Sequence, residues 1–363
     1  MTGDHFIPPV RLDNGDVWDA LAPRIEDLVR RGGFVLGPEL EEFEAAAAEA
    51  FGCRWAVGVS SGTSALWMAL RALDLPPGAR VALPANTFFA TCEAVLVAGM
   101  TPVIVDNDED YLIDLDGLEG ADVDAVIPVH LYGLPVDMAR VEELARRNGW
   151  RVLEDCSQSH GATSGGRVTG SIGDAGAFSA YPTKNLGAWG DAGFATGSDE
   201  SVGATIRSLR HHGQRDANVH SEVGSPERLD NLQALVLTEK LRRLPAEIEA
   251  RRRVAGWYRD ALEGLDLALP GDRGDRTHVY HQFVIRVPRR DEVREQLRDL
   301  GVGSGVHYPA PVHLQPAVAE LCAIAQRPER AEAWAGELLS LPFFPSLAEG
   351  EVERVAEALR KVL

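Results

Sequence analysis

The chain contains 33 arginines but only three lysines, and the three are not alike. Lys240 and Lys361 sit in arginine-rich, helix-forming stretches (LTEKLRRL and ALRKVL), where an ammonium is an ordinary solvated charge. Lys184 lies instead in AYPTKNLGAWG, after the apolar run 175–180 and before a glycine-rich loop, at the mouth of an expected strand. An amine can lose its proton and form a Schiff base, which a guanidinium cannot. Codon bias alone would also leave an isolated lysine, so the neighbouring chemistry decides its meaning.

Three further groups bear on that chemistry. Ser61-Gly62-Thr63 opens an expected helix, so free amides and the positive helix end face outward and could cradle a phosphate. Plain N-capping is the commoner reason for such a tripeptide. Asp155 ends an apolar strand, where a carboxylate could keep a ring nitrogen protonated and turn a pyridine into an electron sink. A turn or capping aspartate is the blander alternative. Gln158 and His160, just beyond, could orient a ring hydroxyl. Phe88 follows a strand end in Asn86-Thr87-Phe88 and could stack on a flat cofactor, although an aromatic there more often belongs to the core. The stretch Gly58-Val59-Ser60-Ser61-Gly62 also matches GxSxG between a strand and a helix, a nucleophile elbow in which Ser60 would need Asp155 and His307 as partners. That hydrolase reading leaves Lys184 unexplained. Amine, carboxylate, phosphate cradle and aromatic face together make the kit for pyridoxal 5′-phosphate (PLP). No GxGxxG follows a strand and opens a helix, and no GxxxxGK[ST] is present.

The elements that must position these groups alternate as helix and strand from about residue 38 to 200. Apolar strands are expected at 55–59, 81–83, 102–105, 125–129, 150–155 and 175–180, with helices of about ten residues between them, which implies crossovers and a parallel sheet. A second region, beginning near Pro245, has an expected helix at 246–263, strands at 279–287 and 302–307, a helix at 291–300 and two closing helices. The expected fold is α/β: a large domain (1–245) with a mainly parallel sheet sandwiched by helices, and a smaller C-terminal α+β domain (246–363). The net charge of −19 argues against a nucleic-acid binder. No run approaches about 20 apolar residues, so no membrane span is expected. The N-terminus lacks a basic segment followed by an apolar one, so no secretory signal is expected. Four cysteines without paired spacing suggest a reducing, cytoplasmic compartment; with no HExxH, no metal site is expected.

A series of stretches resembles the PLP-dependent nucleotide-sugar aminotransferases of the DegT/DnrJ type, within the fold-type I (aspartate aminotransferase-like) superfamily. They are FVLGPELEEFE, AVGVSSGTSALWMALRAL, PANTFFAT, VIPVHLYGLPVDM, VLEDCSQSHGA, GDAGAFSAYPTKNLGAWGDAG, RLDNLQALVL, VGSGVHYPAPVHLQP and LSLPFFP, running in family order from about residue 33 to 345. The resemblance implies a homodimer with active sites at the subunit interface. It implies that Lys184 bonds to PLP and then shuttles the proton, that Asp155 pairs with the pyridinium nitrogen, and that Gln158 lies near the ring hydroxyl. Gly62, Thr63 and Ser179 would bind the phosphate and Phe88 would cover the ring. L-glutamate would be the amino donor and a nucleotide-linked keto sugar the acceptor, giving an amino sugar for a secondary metabolite or a surface glycan.

Some related members are dehydratases with histidine in place of the lysine, and Lys184 speaks against that branch. Tyr181 stands where 4-aminating members often have histidine, which favours a 3-keto acceptor over a 4-keto sugar or keto-cyclitol. His307 and Tyr308 are substrate-side candidates, or simply a packed pair at a strand end. None of the 33 arginines stands out as the anchor of the donor carboxylate. Proline occupies position 226, where the family usually has an asparagine that reaches the partner subunit's phosphate, and a proline has no side-chain donor. Ser225 could substitute for it. Trp189 and Ala192 also replace more usual small or glycine residues near the lysine.

Overall fold

Runs of up to five apolar residues, each closed by a turn or a helix cap, build an eight-stranded sheet in this computed structural model, which describes residues 6–271 and 273–363. Across the sheet the order is Trp55–Val59, Gly193–Gly197, Ala175–Ser179, Arg151–Asp155, Ala125–Val126, Arg80–Pro84, Thr101–Val105 and Ala323–Ile324. Gly193–Gly197 runs antiparallel to both neighbours; every other pairing is parallel. The fold is therefore α/β with a mainly parallel central sheet. Trp55–Val59 and Gly193–Gly197 are buried at every residue. Helices cover both faces of such a sheet, so its strands read as continuous apolar runs and not as alternating ones.

Crossover helices set the strand directions. Gly62–Ala72, Phe89–Val97 and Met138–Asn148 each separate two parallel strands. Ser61 caps the first, its hydroxyl accepting from the Ser64 amide at 3.0 Å, and Asp137 caps the third. Gly149 ends the third helix in the left-handed region at φ 76°. As a result Trp55–Val59, Arg80–Pro84, Arg151–Asp155 and Ala175–Ser179 all end on one side. In open α/β sheets that side is where ligands sit.

The C-terminal region departs from the expected elements. The helix expected at 246–263 is the second half of one helix, Asn231–Ala261, which runs through the expected domain boundary at 245/246. Pro245 resembles a stop because it cannot donate an amide, yet it sits exposed on the outer face, where the helix carries it. This helix joins both units: Leu237, Leu241 and Leu244 pack with the large domain, while Val254, Ala255 and Tyr258 enter a second core with Phe283, Ile285 and Leu359. Ile7 joins that second core and bridges Val302, so the N-terminal segment packs with the smaller unit. The strand expected at 279–287 shortens to Val284–Arg286, paired with Leu338–Ser340, because the Val279 and His281 amides donate instead to the Gly133 and Tyr132 carbonyls. Residues 302–307 form only isolated bridges. Among the described residues, no helix is long and apolar enough to cross a membrane.

Candidate active site

Beyond the strand ends lies a cavity of about 380 Å³. Gly62, Thr63, Phe88, Asp155, Gln158, Ser179, Tyr181, Lys184, His307 and Tyr308 all line it, so of the candidate residues of the constellation the structure leaves out only His160. Chain order explains the convergence. The helix at Gly62 follows one strand, Phe88 follows a second, Asp155 ends a third, and Ser179 and Lys184 lie at the end of a fourth.

A tight loop presents Lys184: its amide donates to the Tyr181 carbonyl and the Ala188 amide to the Ala180 carbonyl, both at 2.8 Å. Burial lowers the Lys184 pKa to about 8, partly opposed by the Asp155 carboxylate. A useful fraction of free amine therefore exists near neutral pH. Asp155 is only 4 % exposed; its Oδ2 accepts from the Thr91 hydroxyl at 2.8 Å and its Oδ1 from the Ser157 amide at 3.1 Å. Thr91 in turn contacts the Thr87 hydroxyl at 2.9 Å. The residues that hold this carboxylate were not visible in the sequence as site residues, although the Thr87–Thr91 spacing of one helical turn is a signal for them.

At the other end, Gly62 is pressed against Ser179. A Cβ added at Gly62 would stand 2.6 Å from the Ser179 Cβ and 2.9 Å from its Cα. Only glycine allows this approach, which sets the first helix amides beside the Ser179 hydroxyl. Those amides precede the helix's own hydrogen-bond ladder, as an anion site requires. Ser60 is not part of a hydrolytic triad. Its hydroxyl bonds to Glu227 and to the Ser64 hydroxyl at 2.9 Å, while His307 contacts the Ser340 hydroxyl at 2.8 Å and Asp155 faces Thr91. The elbow motif arises because the strand-to-helix turn needs small residues. Burial works to raise the Glu227 carboxyl, but the hydroxyls of Ser60, Ser64 and Ser225 hold it below its ordinary value. Ser225 donates to Glu227 at 3.1 Å, so its hydroxyl is engaged within its own chain, next to Pro226.

Gln158 accepts from the Tyr132 amide at 2.6 Å and donates to the Tyr308 hydroxyl at 3.2 Å, which ties the two sides of the cavity together. The Phe88 and Tyr308 rings stand 5.7 Å apart over its mouth. His160 does not reach the cavity; it packs against Phe178 and Phe194 at 5.3 and 6.3 Å, and burial with the charge of Lys184 lowers its pKa to about 3. Burial and Lys184 likewise lower His307 to about 4. Ala192 lines the cavity, whereas Trp189 packs beside Trp18 on the N-terminal helix and donates to Asn14 at 2.9 Å. His281 and Gln282 also line it, though the sequence placed them in a strand. Behind Asp155, the buried His130, Glu154 and Cys156 bring ligand-type atoms within 4.8 Å of one another. Two of the three are already engaged: Glu154 accepts from the Gly170, Ile172 and Gly173 amides and contacts His130 Nε2, and His130 Nδ1 accepts from the Val136 amide.

The donor set fits PLP. Helix amides with a hydroxyl suit its phosphate, a buried carboxylate suits its ring nitrogen, and an amine of lowered pKa suits its aldehyde. Fold and site together define a PLP-dependent transferase. The DegT/DnrJ/EryC1/StrS aminotransferase family model matches residues 19–360, and the chain belongs to that family. It is 41% identical, over the whole of both chains, to a UDP-N-acetyl-3-dehydro-alpha-D-glucosamine 3-aminotransferase of Acidithiobacillus ferrooxidans. It is 39% identical to a dTDP-3-amino-3,4,6-trideoxy-alpha-D-glucose transaminase of Micromonospora megalomicea subsp. nigra, covering 97% of this chain and 96% of that one. The structure of Bacillus subtilis NtdA with bound cofactor PMP is similar, with a TM-score of 0.90 and 32% identity over 100% of this chain and 85% of that one.

Proposed function

We propose that the protein transfers the amino group of L-glutamate to the keto carbon of a nucleotide-linked sugar, at ring position 3. The observation that carries this reading is the meeting of Lys184, its amine pKa lowered to about 8, with Asp155 and the Gly62 helix end in one cavity. Bound PLP supplies an aldehyde that captures amines and a ring that takes up electrons. Lys184 would hold the group through Nζ and, once free, would act as the base for the proton on the donor α-carbon. Asp155, fixed by Thr91 and Ser157, keeps the ring nitrogen protonated. Gly62, Thr63 and Ser179 bind the phosphate, Phe88 covers the ring, and Gln158 orients the ring hydroxyl and the Tyr308 phenol. Tyr181, His307 and Tyr308 face the sugar.

The 3-keto acceptor is supported by Tyr181 and by the names of the two relatives above. A homodimer with shared sites is supported by apolar side chains open to solvent near the cavity: Phe88 is 56 % and Tyr181 51 % exposed in the single chain. The exposed run Phe34, Val35 and Leu36 supports it too.

Absorbance spectroscopy tests this reading. The protein supplied with PLP should show a visible band that bleaches with L-glutamate, and the bleached protein should then aminate a 3-keto sugar nucleotide faster than its 4-keto isomer. Lys184→Ala should show neither band nor turnover. A colourless wild-type protein, or a Lys184→Ala variant with normal turnover, refutes the assignment.

A further inference from the structure

We propose that Cys92 and Cys322 form a modification site, a thiol pair that a hydroperoxide converts to a disulfide and a small dithiol restores. The two are 230 positions apart in the chain, yet their Sγ atoms stand 3.8 Å from each other. Both are free thiols, and neither is among the residues that line the cofactor cavity. The other two cysteines are placed differently. Cys53 donates to the Phe51 and Gly170 carbonyls at 3.6 and 3.4 Å, and burial pushes its thiol up to about 11. Burial likewise holds the Cys156 thiol well above its ordinary value. A thiol so raised yields little thiolate and reacts slowly.

The paired sulfurs have distinct roles. Cys92 is closed to solvent on the helix Phe89–Val97, whereas Cys322, just before the edge strand Ala323–Ile324, is half-buried and can be reached. The hydrogen bond from Cys92 lowers the Cys322 pKa, and burial opposes it. The same contact, with burial, raises Cys92. Cys322 is therefore the attacking thiolate and Cys92 the resolving thiol. The Cys322 sulfur takes one oxygen of the hydroperoxide; the O–O bond breaks, and the departing oxygen collects the proton that Cys322 gave up. The Cys92 sulfur then attacks the resulting sulfenic acid. An S–S bond forms, the S–O bond breaks, and the hydroxyl leaves as water with the Cys92 proton. Two thiols have lost two electrons and two protons, and the O–O bond has taken up both.

The new bond would join two elements that reach the mouth of the cofactor cavity. The helix Phe89–Val97 follows Phe88, and the segment that ends at Cys322 starts from Tyr308, whose ring stands 5.7 Å from that of Phe88. The Val312 amide docks the same segment on the Ala85 carbonyl at 2.9 Å. Oxidation would therefore hold the two sides of the mouth together from behind.

Hydrogen peroxide is the probe, added to the folded, PLP-supplied protein, with alkylation and peptide mass spectrometry as the readout. Free thiols should fall from four to two, and the Cys92 and Cys322 peptides should appear as one linked species that dithiothreitol separates. Cys92→Ala should leave Cys322 as a sulfenic acid that dimedone traps, and Cys322→Ser should leave Cys92 unoxidised. Four intact thiols after peroxide overturn the proposal. So does a dimedone adduct on wild-type Cys322 without linkage, or a Cys322–Cys322 bond between two chains. Linkage that forms only in urea belongs to the unfolded chain and overturns it as well.

Discussion

The charge of Asp155 favours the ammonium form of Lys184, which must be an amine to react. Burial sets the balance at about pKa 8, with Asp155 holding it from falling further. Recombination of the cofactor-free protein with PLP should therefore quicken as pH rises through about 8, because only the deprotonated amine attacks. Asp155→Asn should move that midpoint to lower pH, since it deletes the charge that favours the ammonium. Stopped-flow absorbance across a pH series measures both, and an upward move would contradict the electrostatics described here. Lys184 was readable in the sequence because its chemistry is rare in an arginine-rich chain. Thr91 was not, since threonines are common and only the packing shows which one meets Asp155.

Between elements, a close fit is that of the helix Gly62–Ala72 against the strand Ala175–Ser179. Gly62→Ala must push them apart, because the new Cβ would meet Ser179 backbone. We expect PLP affinity to fall by about tenfold or more, in line with overpacking costs of about 1–3 kcal/mol, as read by absorbance titration. A second joint lies behind the cavity, where Glu154 collects three backbone amides from the turn 170–173. Glu154→Ala should cost about 3 kcal/mol or more in urea denaturation, because those buried donors would lose their acceptor. Apolar runs made six strands of the large sheet readable, while Gly193–Gly197 and the two-residue Ala323–Ile324 were not expected. The smaller unit hid its strands in segments of two or three residues and in single bridges, which give no period to detect.

For the molecule as a whole, the proposed dimer predicts a sedimenting species of twice the 39.3 kDa chain mass, and Phe88→Asp or Leu36→Asp should shift it towards the monomer. A monomeric wild-type protein at micromolar concentration would contradict it. A change of pattern near 245 reads in the sequence as a boundary, but the helix Asn231–Ala261 runs through it, which was not readable because proline ordinarily stops a helix. Ala323–Ile324, the short strand at the sheet's edge, has a consequence for biosynthesis. While the ribosome is still making the C-terminal quarter, Thr101–Val105 offers an unpaired edge to any neighbouring nascent chain. Only when residue 323 emerges can that edge be closed, so a transcript cut short before this codon would release a product prone to associate with its own kind.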